Sequence, residues 1–227
     1  MPRTGDILDG LSAIANQATG VAIAWHMLIA TALVAIVSGW RPPPRTARLL
    51  IGIPLASVAV VAIAFANPFN GLVFTASVLA MTALAIRGDR RPVWRGSAWT
   101  RALGLVMIAF AWVYPHFLEG PPIDYLYAAP VGLVPCPTLA VAIGFALLGN
   151  GLGSRAWALT LAAIGLSYGL FGVLRLGVFV DIPLAVGAIA LVVAELQSAQ
   201  MGGLNPNAKA GRSELMAHDR YGWQARP

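Results

Sequence analysis

The chain has 227 residues, of which 58% are hydrophobic and only 11% are charged. Soluble domains carry about 25% charged residues, so this composition excludes a single soluble core and predicts a polytopic membrane protein. The net charge of +6 comes from arginines that cluster in short segments between apolar runs, which indicates membrane orientation rather than binding to nucleic acid.

Three regions follow one another along the sequence. Residues 1–19 carry apolar side chains at helical spacing between polar ones, which predicts a short interfacial helix. Residues 20–196 contain repeated apolar runs long enough to cross a bilayer and therefore predict a transmembrane bundle. Residues 197–227 are polar and rich in glycine and asparagine, which predicts a flexible cytoplasmic tail.

Seven apolar segments of the bundle are separated by basic or turn-forming residues. Their approximate bounds are 20–40, 49–66, 72–86, 102–118, a fifth segment ending near 148, 156–174 and 182–196. The connections after the first, third and fifth segments are basic, as is the tail, whereas the opposite connections are neutral or contain acids. The positive-inside rule therefore predicts an all-α bundle of about seven spans, with the N-terminus outside and the C-terminus inside. Six spans would require two of these segments to merge.

The stretch YPHFLEGPPIDYLYAAPVGLVPCPT, residues 114–138, interrupts this apolar pattern with six prolines and the single cysteine. The fifth span, counted from Pro137 to Asn150, has 14 residues and is about 21 Å long, against a hydrocarbon core of about 30 Å. Either a kinked helix begins near Tyr125, or a short helix begins at Pro137 after a loop that re-enters the outer leaflet. In the second case Cys136 faces a positive helix end, which can favour a thiolate. The alternative is a packing kink around an unreactive cysteine.

Polar side chains in and near this stretch are predicted to lie on the outer side of the membrane. Such groups are costly there and usually serve a function. The candidate vestibule or ligand-binding residues are Tyr114, His116, Glu119, Asp124, Tyr127, Cys136, Thr138, Arg175 and Asp181. More simply, the tyrosines form an interfacial aromatic belt, and Arg175 pairs with Asp181, which also caps the last span.

Two histidines offer a second kind of site. His26 in the first span and His116 at the end of the fourth are both predicted on the outer side. They could bind one transition metal or a haem iron, with Cys136 or Met27 as a further soft ligand. Alternatively, they could bond backbone carbonyls or line a polar entrance. The sequence has no HxxxH or CxxC spacing, and one cysteine excludes a multi-cysteine cage.

Small residues recur at four-residue spacing on two spans. Gly165 and Gly169, followed by Gly172, lie on the sixth span, and Ala140 and Gly144 lie on the fifth. This pattern predicts close helix packing, either within the bundle or in a dimer.

A recognisable signature lies within about residues 110–150. It consists of Tyr114, Pro115, Tyr127, Ala128, Ala129, Pro130, Gly132, Pro135, Cys136, Pro137 and Thr138. Through these residues this part of the chain resembles an uncharacterised bacterial multi-pass membrane-protein family. Leu139 stands where members often carry a second threonine. The resemblance implies a multi-helical protein of the bacterial cytoplasmic (inner) membrane, in which Pro-Cys-Pro-Thr opens a late helix. It implies no activity.

Three functions remain open from the sequence. No Ser-His-Asp order, catalytic carboxylate pair or phosphate-binding loop can be assembled, so an enzymatic activity has no support. The favoured hypothesis is a small-solute or ion permease or channel-like protein with an outer-side vestibule formed by residues 114–138. The alternatives are a membrane subunit or anchor of a larger redox complex that carries haem or metal through His26 and His116, and a structural or assembly factor. The expected partners are the lipid bilayer and a homo-oligomer or larger membrane complex.

Overall fold

The computed structural model describes residues 3–87 and 96–203, and every regular element in these two ranges is a helix. The α-helices are α1 (Thr4–Gln17), α2 (Thr19–Val37), α3 (Pro44–Ala64), α4 (Pro68–Arg87), α5 (Ala98–Val113), α6 (Tyr125–Ala128), α7 (Pro135–Leu148), α8 (Arg155–Phe171) and α9 (Ile182–Gly203). A 3₁₀ turn, Pro122–Asp124, precedes α6, and a π-helical turn, Gly172–Leu176, follows α8. The all-α prediction is therefore confirmed for the described ranges.

Within residues 3–87 and 96–203, five helical segments are long and apolar enough to cross a membrane. They are α2, α3, α4 and the segments Arg155–Leu176 and Phe179–Gln200, which contain α8 and α9. Large apolar side chains such as Val60 and Leu79, each 67% exposed, point away from the bundle, as lipid-facing residues do. The chain is therefore a multi-pass membrane protein. Two further apolar helices, α5 and α7, are shorter, with 16 and 14 residues.

The short helix α7 lies at the centre of the bundle. All of its residues except Cys136, Phe145 and Leu148 are buried, and it packs against α3, α5, α8 and α9. Gly144 lies close against the backbone of α5, because a Cβ atom added there would lie 2.8 Å from the carbonyl oxygen of Gly104. The small side chains on α7 therefore let two helix backbones touch inside the bundle.

The same kind of contact joins α8 to α9. A Cβ atom at Gly169 would lie 2.9 Å from the backbone nitrogen of Ala185, and one at Gly165 would lie 2.5 Å from Ile143 Cδ1 of α7. The close helix packing that the small residues predict is therefore present, and these glycines make their contacts within one chain.

Several predicted boundaries differ from the observed ones. The second segment begins at Pro44 rather than near residue 49, because Arg45 and Arg48 join the first turns of α3. The fourth ends at Val113 rather than near 118, before Pro115. The tail was expected to begin at 197, whereas α9 continues to Gly203; residues 204–227 lie outside the described ranges.

The two ends of the bundle are built differently. At one end, here called the Arg48 end, the buried Arg48 guanidinium donates from Nη1 to the Leu152 carbonyl at 3.1 Å and from Nη2 to the Ala85 carbonyl at 3.3 Å. It thereby joins α3 to the last turn of α4 and to the turn before α8. At the other, the α1 end, the first helix packs near the connections that precede α4, α6 and α9.

The contact between α5 and α7 generates a stability prediction. Gly144→Ala places a methyl group against the Gly104 carbonyl, so we expect the free energy of unfolding to fall by about 1–3 kcal/mol. Gly52→Ala on α3 is the matched control, because a Cβ atom there meets nothing within 4 Å and alanine favours a helix interior by roughly 0.5–1 kcal/mol. Thermal unfolding of the full chain in detergent measures both. Equal midpoints for the two variants would contradict the packing described here.

Candidate functional site

The stretch 114–138 does not form one kinked helix. The short helix α6 ends at Ala128, residue 129 is extended, and α7 begins separately at Pro135 after the extended Val134. Proline is favoured in a first helical turn, because its missing N–H would have no partner there. The intervening residues 129–134 are all buried. Of the two predicted geometries, the short helix preceded by a loop is the observed one, and it starts two residues before Pro137.

A tight turn carries the chain into α7, and Thr138 stabilises it. The Thr138 hydroxyl accepts from the Gly132 N–H at 2.8 Å and donates to the Val134 carbonyl at 2.7 Å. Gly132 has φ +77°, and a Cβ atom there would collide with the indole of Trp25. Only glycine meets both conditions. Both bonds of Thr138 are to backbone, so its observed role is to hold this turn.

The turn places Cys136 beside a buried carboxylate. Asp181, just before α9 and 2% exposed, accepts a hydrogen bond from the Tyr114 hydroxyl at 2.6 Å and one from Cys136 Sγ at 3.2 Å. Gly172 provides the space, since a Cβ atom there would overlap the Asp181 carboxylate. We call Asp181, Tyr114 and Cys136 the Asp181 cluster. In it the thiol is a donor, so this geometry does not favour the thiolate that the helix end alone suggested.

His116 lies beside this cluster. Its half-buried ring packs on Phe117 with centroids 4.2 Å apart. Burial lowers the pKa of His116 below its ordinary value, and the nearby Asp181 carboxylate opposes this effect without reversing it. His116 is therefore neutral at neutral pH.

Arg175 and Asp181 do not form the predicted ion pair. Arg175 instead donates from Nη1 to the Thr4 hydroxyl on α1 at 2.7 Å, while Asp181 is occupied by Tyr114 and Cys136. The physical reason is burial, because Asp181 is enclosed in the bundle whereas Arg175, in the π-helical turn, is exposed.

A cavity of about 460 Å³ lies between α1 and the bundle. Most of its lining is apolar and aromatic, with Leu11, Ile14, Phe65, Phe117 and Phe171 among the walls. Its polar lining includes the buried Asn70 and the half-buried Asn67 and Tyr168, and Cys136 connects it to the Asp181 cluster. Asp6 and Arg175 are exposed and form part of the rim.

Helix α1 is fastened over this cavity by hydrogen bonds near both of its ends. Asn16 donates from Nδ2 to the Phe117 carbonyl at 2.9 Å and accepts the backbone N–H of Glu119 at 2.9 Å, and the Arg175–Thr4 bond holds the first turn. The Glu119 residue therefore contributes its backbone, while its side chain is exposed.

Two of the predicted vestibule residues lie elsewhere. The exposed Tyr127 hydroxyl donates to Asp124 Oδ1 at 2.7 Å, and this hydrogen bond is the main cause that raises the pKa of Tyr127. Neither residue lines the cavity. Of the nine candidates, Cys136 and Arg175 line it. Tyr114 and Asp181 bond with Cys136 in the Asp181 cluster, and His116 lies near Asp181.

The histidines do not assemble a metal centre in the described ranges. The ring nitrogens of His26 lie 2.9 Å from the carbonyl oxygens of Ala22 and Trp112, while Met27 is 66% exposed. No three His, Cys, Asp or Glu side chains in residues 3–87 and 96–203 are placed to hold one metal ion. The predicted set of His26, His116 and Cys136 is therefore not formed, and His26 bonds backbone carbonyls, as the alternative interpretation proposed.

Sequence reasoning did not identify Asn70 and Tyr168 as part of the site. The Tyr168 hydroxyl donates to Asn70 Oδ1 at 2.9 Å across α8 and α4. Asn70 falls in the segment NPFNG, residues 67–71, whose residue types favour a turn, whereas Pro68 begins α4 there. The available signal was a tyrosine in the middle of an apolar span, where a hydroxyl needs a partner.

Comparison with known proteins adds no assignment, because no protein-family model, curated protein or solved structure matches this chain. The resemblance in residues 110–150 stays a prediction, and the geometry of the site is the basis for inferring a function.

The Asp181 cluster predicts unequal effects for two tyrosines. Tyr114→Phe removes one donor from a buried carboxylate, so we expect a loss of about 1–3 kcal/mol in the free energy of unfolding. Tyr127→Phe removes an exposed hydrogen bond and should change it by less than about 0.5 kcal/mol. Thermal unfolding of both full-length variants in the same detergent is the measurement. A Tyr127→Phe loss as large as that of Tyr114→Phe would show that burial of Asp181 is not the cause.

His116 predicts a pH dependence of stability. Because the folded state lowers the pKa of His116, the folded protein binds this proton less readily than the unfolded chain does. Its contribution is therefore present above the ordinary pKa of about 6.5 and is lost as the pH falls below that value. Between pH 7.5 and pH 5.5, the melting temperature should fall less for His116→Gln than for the wild type. An equal fall in the two proteins would exclude His116 as the source of the pH dependence.

Proposed function

We propose that this protein is a small-solute permease or channel-like protein whose solute-binding vestibule is the cavity beneath α1. The observation that carries this proposal is the cavity itself. Its volume of about 460 Å³ falls in the range of about 300–1,000 Å³ that is usual for ligand pockets. Apolar walls with a few polar groups are also typical of such sites.

The broken helices around the cavity support a transport role. Residues 129–134 and the π-helical turn interrupt two apolar segments beside the same cavity. Non-helical backbone at membrane depth is tolerated where protein covers it or water reaches it, and transporters use it to form solute sites. A buried carboxylate one hydrogen bond behind the cavity wall adds a group of the kind that serves ion or solute pathways.

We place this cavity at the outer face of a bacterial cytoplasmic membrane. In this arrangement α2, α3, α4, α5, α7, α8 and α9 are the seven spans, and the α1 end is outside. The basic residues Arg41, Arg45, Arg101 and Arg155 then fall on the cytoplasmic side, as the positive-inside rule requires. The short α7 needs no full hydrocarbon length of its own, because other helices enclose it.

The redox-subunit alternative has less support. Carrying a haem or metal through His26 requires a free ring nitrogen, and both nitrogens of that ring lie against backbone carbonyls. A structural or assembly role predicts no solute flux and is therefore separated from a permease by experiment.

Sided modification of Cys136 tests the proposal. The full chain is reconstituted in liposomes and treated with a charged, membrane-impermeant methanethiosulfonate. We expect modification from the outer face, because Cys136 is half-buried and lines the cavity. Flux of glycerol, urea and butyrate, followed by stopped-flow light scattering, should fall after modification of the wild type.

Cys136→Ser is the matched control, because flux through this variant should not respond to the reagent. Modification only from the cytoplasmic face would overturn the orientation. An absence of protein-dependent flux for the whole panel would overturn the permease proposal and favour a structural role.

A further inference from the structure

We infer that the cavity beneath α1 binds a mostly apolar molecule that presents an oxygen acceptor, a carbonyl or a carboxylate, to the side-chain amide of Asn70. This inference rests on the proposed function of the cavity as a solute site and names the class of molecule that it takes.

Asn70 has a buried side-chain amide, and its nitrogen is available to donate a hydrogen bond to a ligand. It is 7% exposed and lines the cavity. Its Oδ1 accepts from the Tyr168 hydroxyl at 2.9 Å, and its backbone N–H donates to Asn67 Oδ1 at 3.2 Å. Its Nδ2, which carries two protons, donates to no protein group among the described residues.

That donor is accessible from the cavity. Among the described residues, Asn70 Nδ2 is not one of the fully buried side-chain atoms that lack a partner, and Asn70 lines the cavity. Because Tyr168 occupies the amide oxygen, the nitrogen is the amide atom that is available to a bound molecule as a donor. Its natural complement is an oxygen acceptor on a bound molecule.

The walls define the rest of the ligand. Aromatic and aliphatic side chains from α1, α8 and the connections before α4 and α7 surround Asn70, so the body of the molecule is apolar. The rim carries one base and one acid, Arg175 and Asp6, and therefore does not select for one sign of charge. The Asn70 amide is therefore the group that discriminates between ligands of equal shape.

Cys136 provides a measurement at the site without any engineered label. It is the single cysteine of the chain, it is half-buried, and it lines the same cavity as Asn70. A molecule bound beneath α1 will therefore slow alkylation of Cys136 by N-ethylmaleimide.

The experiment compares two probes of the same shape. The full chain is placed in nanodiscs of ether-linked phospholipid, and the alkylation rate is measured with 2-decanone or with 2-methyl-1-decene, in which a methylene replaces the carbonyl oxygen. We expect 2-decanone to protect Cys136 at a concentration roughly tenfold lower than the alkene, because only the ketone can accept a hydrogen bond from the Asn70 amide. Asn70→Leu should remove this difference.

Asn67→Ser is the matched control. It removes a second amide from the cavity lining while keeping an oxygen that can accept the backbone N–H of Asn70, so the preference for the ketone should persist. Saturable binding of tritiated 2-decanone to the same nanodiscs, with empty nanodiscs subtracted, gives a second measurement that does not depend on thiol reactivity. If Asn70→Leu fails to fold, the comparison of the two probes on the wild type decides alone.

Three results would overturn the inference: equal potency of the two probes on the wild type, no saturable binding, or a ketone preference that persists in a folded Asn70→Leu. A cavity that holds only water would show no saturable binding of 2-decanone. The source of the ligand is distinguished by ester-linked nanodiscs without probe. Slower alkylation there than in ether-linked nanodiscs identifies a lipid ester, and equal rates identify a dissolved solute.

Nanodiscs have no inner compartment, so this test is independent of transport. Ketone-selective protection without flux in liposomes would keep the inference and overturn the permease proposal. Flux without ketone-selective protection would keep the permease proposal and overturn the inference.

Discussion

A carboxylate enclosed by apolar helices needs hydrogen-bond donors, and this need organises the α1 end of the bundle. Asp181 takes its donors from two places that are distant in sequence, the end of α5 and the first turn of α7. Tyr114 and Cys136 can reach it only if the intervening stretch folds back between them, which residues 114–134 do. The prolines, the tight turn held by Thr138 and the glycine at 172 each serve this one geometry.

The positions of the helices follow from hydropathy, because each apolar run must be removed from water and a helix satisfies its own backbone. The partners of the polar side chains do not follow in the same way. Proximity in sequence suggested that Arg175 would pair with Asp181, but Asp181 is buried and the exposed Arg175 bonds to α1 instead. Arg48 resembled a loop residue in the sequence and is buried against carbonyls of two other segments. Such contacts depend on the three-dimensional meeting of elements, which periodicity does not encode.

The candidate site was therefore predicted in part. Cys136 was identified from composition, and its helix start was expected within two residues. The cavity could not be predicted, since it needs α1, the start of α4 and the end of α8 to converge. Asn70 was hidden by its neighbours, because proline and asparagine indicate a turn and equally a helix start. The error for His26 is the opposite one. A histidine in an apolar span suggested a metal ligand, but both ring nitrogens of His26 lie against backbone carbonyl oxygens.

The burial of Arg48 has a mechanical consequence for the whole bundle. Its guanidinium fixes three segments at one end, whereas the opposite end is closed by a separate helix held through a few side-chain bonds. The two ends of the bundle are therefore joined in different ways. A displacement of α1 would break the hydrogen bonds of Asn16 and Arg175 and leave the Arg48 contacts intact. The width of the space beneath α1 can thus change without any change in how Arg48 joins α3 to α4 and to the turn before α8.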